Sequence, residues 1–417
     1  MVEQVGVVVI GAGQAGLAIS YYLTQQARTH VVLEKDRQVG SAWRHGRWDS
    51  FTLLTPNWSV RLPGFPYCGD DPEGFMTRAE VVSHLEQYAS SFGSPVRFGV
   101  TVRSLDSTPG GGYLISTAGG DAYAAANVVV ATGSFQFPRP TKLADAFPSR
   151  IAQVHSSSYA NPDGLPPGAV LVVGSSNSGC QIVEELFESG RKVYLCVGRA
   201  RRVPRRYRGK DSVFWGVTMG LVDQTADQLP DPSARFAAQG QSTGKNGGHT
   251  LSLHHFARSG VTLLGRLIDV HGDSIVLASD LRENLAFADK ASDDFKINVD
   301  AFVGRTGMDV PANQPDPIDE ARSDAGENAP TTLDLRAAGI TSVVWANGYR
   351  FDYSWVHLPV IDSFGYPIQR RGVTKFPGLY FLGMDWLYSR KSGILLGVGE
   401  DAAHVAAEIA STNALVI

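Results

Sequence analysis

The sequence predicts an α/β protein of two doubly wound, parallel-sheet units, one inserted into the other. Three observations lead there. The same order of elements occurs twice, as VGVVVIGAGQAGLAISYYL then THVVLEK, and as AVLVVGSSNSGCQIVEEL then KVYLCVGR. The Val/Leu/Ile runs are continuous rather than alternating, which marks strands buried on both faces. Each first strand runs directly into a glycine-rich turn that opens a helix.

The 417 residues suffice for two or three packed domains. Charged residues make up 19% of the chain, and 37 Lys and Arg against 41 Asp and Glu give a net charge of -4. That balance argues against a general nucleic-acid or acidic-membrane binder. Cys68, Cys180 and Cys196 form no CxxC or metal-ligand spacing. They read as reduced core thiols and make the cytoplasm the expected compartment. The run from Val5 to Ile10 reads as a strand, leaving no room for a signal peptide, and no stretch has the roughly 18 apolar residues of a spanning helix. A homodimer is the default expectation for assembly.

Residues 161–168, with Pro162, Pro166 and Pro167, read as a linker. Residues 223–246 read as an irregular insertion or lid, and residues 311–330, acidic and proline-containing, as a surface loop. ITSVVWANGY and GLYFLGMDW read as strands and 399–410 as a closing helix. The expected units are therefore 1–160, an inserted unit over 161–330, and a return to the first unit over 331–417.

In Gly11-Ala12-Gly13-Gln14-Ala15-Gly16, glycines permit a tight turn, approach of a pyrophosphate and close helix packing. The phosphates would rest on amides at the helix start. Glu34, ending the next strand, can accept hydrogen bonds from a ribose. These are the marks of a Rossmann-like dinucleotide site. The second turn, Gly174-Ser175-Ser176-Asn177-Ser178-Gly179, has Ser176 for the middle glycine, small enough to let a phosphate approach. No carboxylate ends its second strand; Arg199 stands there, as suits the 2′-phosphate of NADPH. Arg199 opens a run with Arg201, Arg202, Arg205, Arg206, Arg208 and Lys210. The run could form a nucleic-acid patch or localisation signal, but its place after a dinucleotide strand favours the phosphate. Arg199 is the first choice, Arg201 and Arg202 the next, and the rest are expected on a solvated or lid-closing face.

With these motifs placed, the chain resembles the class B flavin-dependent monooxygenases, and among them the bacterial CzcO-like, FMO-like proteins. Gly40-Ser41-Ala42-Trp43-Arg44 is similar to the family's GGxW segment, with its second glycine missing. Ala131-Thr132-Gly133 matches its ATG exit from the FAD domain, and Ala346-Asn347-Gly348-Tyr349 a second such element, with Asn347 for threonine. Residues 377–403 resemble the closing FAD segment. The FxGxxxHxxxY signature is present only in part: His155 and Tyr159 keep their spacing, Phe147 lies two positions early, and Ile151 replaces the glycine.

The resemblance implies FAD and NADPH as cofactors, and O2 and a small molecule as substrates. Oxygen would be activated at flavin C4a as a hydroperoxide and inserted at nitrogen or sulfur. It implies cofactor contacts at Gly11, Gly13, Gln14, Ala15, Gly16, Glu34, Lys35, Trp43, Arg44, Val102, Ala131, Thr132, Gly133, Gly383, Asp385 and Leu395. In the second unit it implies Gly174, Ser175, Ser176, Asn177, Ser178, Arg199 and Arg201, with Asn347 at the second exit. Asn57 would be the catalytic donor near the flavin; as a residue after Pro56 it is equally a turn former. His254-His255 do not share a helix face, Asp70-Asp71 and Glu184-Glu185 read as solvated charges, and Trp43, Trp48, Trp58 and Trp215 serve either as cavity lining or as core. Competing expectations are a Baeyer–Villiger oxygenase, an NADPH-dependent flavin reductase or oxidase, and a non-catalytic nucleotide binder. A disulfide reductase would need a cysteine pair that the chain lacks.

Overall fold

The computed structural model describes residues 2–238 and 240–414. The first unit begins with β1 (Val2–Ile10), α1 (Gln14–Gln25) and β2 (His30–Leu33). α2 (Arg78–Ser91) follows, opened by a capping box in which the Thr77 side chain accepts from the Glu80 amide while Glu80 accepts from the Thr77 amide at 2.7 Å. Then come β3 (Val96–Arg97), β4 (Val102–Ser107), β5 (Tyr113–Thr117) and β6 (Ala122–Val130). The sheet order is β3-β2-β1-β6-β5-β4, with β1 parallel to β2 and β6, and β4-β5-β6 an antiparallel meander. Alternate β1 residues point to opposite faces, and both are covered. Val7 and Val9 pack with Leu17 and Ile19 of α1, while Val8 and Ile10 pack with Ile115 and Val130. Continuous apolarity in β1 is the consequence.

The second unit contains β7 (Ala152–His155), β8 (Ala169–Val173), α3 (Asn177–Glu188), β9 (Val193–Cys196), β10 (Thr262–Leu264), α4 (Leu281–Thr306) and β11 (Ile340–Trp345). Its sheet is wholly parallel in the order β7-β11-β8-β9-β10. The chain then returns to the first sheet through β12 (Leu379–Phe381), parallel to the C-terminal half of β6, and ends on α5 (Val398–Ala414), which packs on α1.

The unit boundaries expected at 160 and 330 are displaced. β7 precedes residue 160 and β11 follows 330, yet both are strands of the second sheet, β11 lying between β7 and β8. The second unit thus takes in the end of the expected first segment and the start of the expected return. The expected surface loop at 311–330 also differs. It holds a short helix, Pro317–Glu320, whose Asp319 is only 1% exposed.

Asp319 is held by an ionic network under α4. Arg202, 1% exposed, pairs with Asp319 and with Asp289 at 2.8 Å. Lys296 of α4 also pairs with Asp319, Ser292 donates to it at 3.0 Å, and His254 and Arg322 meet Asp289 at 3.0 and 3.1 Å. Buried guanidinium and carboxylate of this kind stabilise only as a set, because removing one partner leaves an uncompensated charge away from water. Asp319→Asn is therefore expected to cost about 3–5 kcal/mol, read as a lowered urea midpoint. The exposed Asp324→Asn should stay within about 0.5 kcal/mol of the parent.

Candidate cofactor and active site

The first glycine turn is built by backbone approach. A Cβ on Gly16 would lie 1.8 Å from the Gly11 carbonyl oxygen, and one on Gly11, whose φ is +108°, would lie 2.7 Å from that of Ala131. At Gly13 a Cβ would meet nothing within 4 Å. That open ground lies over the start of α1, where no side chain caps the first amides. Backbone donors thus face a space that a pyrophosphate fits. Glu34, 5% exposed, accepts from the Ala12 amide at 2.7 Å and the Asp36 amide at 3.0 Å. It ties turn to strand end and keeps lone pairs for a ribose. Val102 begins β4 two residues after Val100, whose amide donates to the Glu34 carbonyl at 2.8 Å; Lys35 is exposed beside it.

Three segments close around the turn. Trp43, in the short helix Ser41–His45, donates its indole N–H to Gln14 Oε1 at 2.9 Å, and Gln14 Nε2 donates to the Gly393 carbonyl at 2.8 Å. Gly383, with φ +81°, lies so near α1 that a Cβ would sit 2.3 Å from that of Ala15. The Asp385 amide donates to Ser134 Oγ at 3.3 Å, and Thr132 and Gly133 lie just before it, directly after β6. Leu395 is buried and its carbonyl accepts from the Arg61 amide at 3.2 Å. Arg44 turns elsewhere, to the Val39 carbonyl at 3.2 Å and to Glu86 of α2.

The second turn repeats the first. Gly179 would place a Cβ 1.8 Å from the Gly174 carbonyl, and Gly174, at φ +113°, would place one 2.4 Å from that of Ala346. Ser176 has φ -82° and ψ -167°, against -85° and -172° at Gly13. This extended conformation suits any residue, so the serine replaces the middle glycine without backbone strain. Ser175 Oγ accepts from the Gly198 amide at 3.1 Å, and Ser178 lies half-buried in the first turn of α3. The segment read as an insertion or lid reaches this turn. Gln241 Nε2 donates to the Ser175 carbonyl at 2.7 Å, and the Ser242 amide donates to Asn177 Oδ1 at 2.8 Å. Asn347, at the second exit, donates to the Arg139 carbonyl at 3.2 Å.

The arginine run divides by burial. Arg199 and Arg201 are exposed and form no ion pair among the described residues; the Arg199 guanidinium rests 4.3 Å from the Phe287 ring centroid. Arg202 is committed to the ionic network, so it is unavailable to a phosphate. Arg205, 2% exposed, is held by Asp211 at 2.7 and 2.6 Å and reaches the Leu54 carbonyl at 2.9 Å. Arg206 binds the Gly247 and Gly248 carbonyls and Arg208 binds Asp300. Of the solvated or lid-closing face expected for these residues, Arg206 is exposed and holds the 247–248 backbone, whereas Arg205 is a buried anchor that reaches Ser242 of the insertion.

Asn57 is likewise engaged. Its Nδ2 donates to the Asp71 carbonyl at 2.9 Å, its Oδ1 accepts from the Met76 amide at 2.7 Å, and it is 5% exposed. These bonds clamp the 71–76 loop, the work of a turn former. His155 Nε2 lies 3.1 Å from the Gly348 carbonyl, its ring edge-on to Tyr349, and burial lowers its pKa. The Tyr159 hydroxyl donates to Glu185 at 2.8 Å, and Glu184 meets His249 at 2.5 Å, so neither glutamate is merely solvated. Trp215 is core, donating to the Tyr207 carbonyl, and Trp48 and Phe51 enter the core of the second unit. Trp43 packs against the cores of both units and so stands where they meet.

Two dinucleotide turns of matching backbone in one interlocked α/β chain define a flavin- and pyridine-nucleotide-dependent oxidoreductase. Residues 8–213 match the family model described as pyridine nucleotide-disulphide oxidoreductase. The uncharacterized oxidoreductase CzcO-like of Geobacillus kaustophilus is 34% identical over 97% of this chain and 98% of its own length. The rice indole-3-pyruvate monooxygenase YUCCA1 (Oryza sativa subsp. japonica) is 31% identical, covering 54% of this chain and 55% of that protein. A flavin-containing monooxygenase structure from Stenotrophomonas maltophilia shares the fold at 20% identity with a TM-score of 0.66, over 98% of this chain and 99% of that one. The chain belongs to the CzcO-like family of oxidoreductases and has the flavin-monooxygenase fold.

Because Glu34 anchors the Ala12 amide and is the carboxylate expected at the ribose, Glu34→Ala should strip flavin from the protein. The flavin-to-protein ratio after gel filtration should fall at least about tenfold at dilute FAD, the loss of one or two charge-assisted hydrogen bonds. Unchanged flavin content would remove Glu34 from the site.

Proposed function

We propose that this protein is an NADPH-dependent flavin monooxygenase that transfers one oxygen atom from O2 to nitrogen or sulfur of a small molecule. The carrying observation is the second turn, whose strand ends without a carboxylate and whose Arg199 and Arg201 have no ion-pair partner among the described residues, which leaves them for a 2′-phosphate. When bound, FAD supplies hydride acceptance and oxygen activation. The chain's part is positional. The amides after Gly13 take the pyrophosphate, Glu34 the ribose, and Gln14 is held in place by Trp43 and Gly393. Segment 383–395 closes over the turn and limits water.

The thiols do not support disulfide exchange. Cys180 and Cys196 are buried in the second unit, Cys196 pushed up to about 12 by burial, and Cys68 is exposed and distant in sequence. Three free thiols also fit a reducing cytoplasm.

Arg199→Ala should raise the half-saturating NADPH concentration for flavin reduction about 10- to 100-fold, the worth of a charged hydrogen-bond pair at about 1.5–3 kcal/mol, and leave NADH unchanged. Equal losses with both nucleotides would assign Arg199 to folding instead.

The oxygenase reading is tested by anaerobic reduction with NADPH followed by mixing with oxygenated buffer. A transient absorbing in the near ultraviolet before oxidised flavin returns, with oxygenated product from an amine or sulfide, is expected. Direct return to oxidised flavin with stoichiometric hydrogen peroxide would make the protein an oxidase or reductase.

A further inference from the structure

Arg47 is a cation without a counter-charge at the meeting of the two units. Its guanidinium carbon lies 5.4 Å from the ring centroids of Trp43 and Phe51 and 4.7 Å from that of Phe135. One N–H donates to the Gly46 carbonyl at 2.7 Å, and Tyr349 lies near enough to support the charge. A guanidinium has five N–H donors, and no carboxylate pairs with Arg47 among the described residues. Three rings lie around the group, and among the described residues no carbonyl or carboxylate other than the Gly46 carbonyl accepts from its N–H edge. Burial lowers its pKa, as expected for a charge taken partly from water, yet the side chain is half-buried rather than sealed. An anion can therefore reach that edge.

Its neighbours fix where that edge lies. Trp43 is bonded to Gln14 at the first glycine turn. Phe135 comes two residues after Gly133, at the exit from β6, and is 48% exposed. Tyr349 comes three residues after Ala346, whose carbonyl lies beneath Gly174 of the second turn. Arg47 thus stands between the two cofactor turns, with aromatic rings on three sides.

We propose that Arg47 binds the carboxylate of an aromatic organic acid, and that the substrate of this enzyme belongs to that class. The guanidinium fork matches a planar carboxylate in two parallel bonds, and Phe51, Phe135 and Trp43 supply apolar walls for a ring. The proposal rests on the oxygenase reading of the crevice, but its test needs no turnover.

The oxidised, FAD-loaded protein is titrated with 3-phenylpropanoate and with 3-phenylpropanamide, followed by isothermal calorimetry, with and without NADP+. The acid is expected to bind at least about tenfold more tightly than the amide, the worth of a charge-assisted pair. Arg47→Met should abolish that preference, and Arg47→Lys should keep part of it, with flavin content unchanged in both. Equal binding of acid and amide to the parent protein overturns the proposal whatever the variants do. So does an acid preference that survives Arg47→Met. If Arg47→Met weakens NADP+ while acid and amide bind alike, the anion at Arg47 is a cofactor phosphate and the proposal falls. An oxidase result in the oxygen-mixing experiment leaves the acid preference intact, so the two failures are distinguishable.

Discussion

Everything in the two cofactor sites hangs on a missing atom. At Gly16 and at Gly179 a side-chain carbon would sit 1.8 Å from the carbonyl oxygen five residues earlier, far inside contact distance. Only because both lack a Cβ can each helix start directly on its turn, with uncapped amides facing outward. The same approach brings the Gly11 and Gly174 Cα atoms down onto the carbonyls of Ala131 and Ala346. Those residues directly follow the strand that neighbours the turn's own strand, β6 beside β1 and β11 beside β8, and begin the connections leaving it. Turn, helix and exit are therefore one packed unit, and moving any of them displaces the phosphate position.

The interlocking of the sheets extends this constraint to the crevice. β7 and β11 belong to the second sheet, but chain from the first unit leads into β7 and β11 leads back toward β12. Trp48 and Phe51, from the first unit, are planted in the second unit's core, and the Asp49 amide donates to the Ala160 carbonyl at 2.8 Å. These crossings tie the unit that carries the first turn to the core of the unit that carries the second. The ionic network of Arg202, Asp289 and Asp319 steadies α4 and the 316–323 segment behind the arginine loop. That loop in turn presents Arg199 and Arg201.

The parts readable from sequence are those set by near neighbours along the chain. Glycine spacing, the buried strands and the carboxylate at Glu34 all follow from the turn's own geometry, and the structure holds them together within one site. What escaped reading depends on distant partners. Nothing local shows that Arg202 will meet Asp289 and Asp319, or that Arg205 will reach the Leu54 carbonyl. Asn57 looked equally suited to catalysis or to a turn until Asp71 and Met76 claimed its amide. β11 reads as a buried strand from its composition, but which sheet receives it is a topological choice that composition does not carry. The insertion shows no periodicity, and its role at the second turn rests on Gln241 and Ser242 alone.

The placement of cations argues for what the crevice receives. Acidic residues outnumber basic ones in this chain, 41 to 37, so counter-charges are not scarce. Arg202, Arg205 and Arg208 all have theirs. Among the described residues Arg47, Arg199 and Arg201 do not, and each lies beside one of the glycine turns or between them. Leaving a guanidinium unpaired in a partly desolvated place, as at Arg47, is unfavourable for the free protein, and an anionic ligand removes that cost on binding. Fixed cations in a cleft with low-dielectric walls also raise the local concentration of anions. The nucleotide phosphate proposed at the end of β9 would account for two of these three. The third, ringed by Trp43, Phe51 and Phe135, is too far along the chain from that strand to belong to the same motif, and its aromatic walls suit an organic acid better than a phosphate.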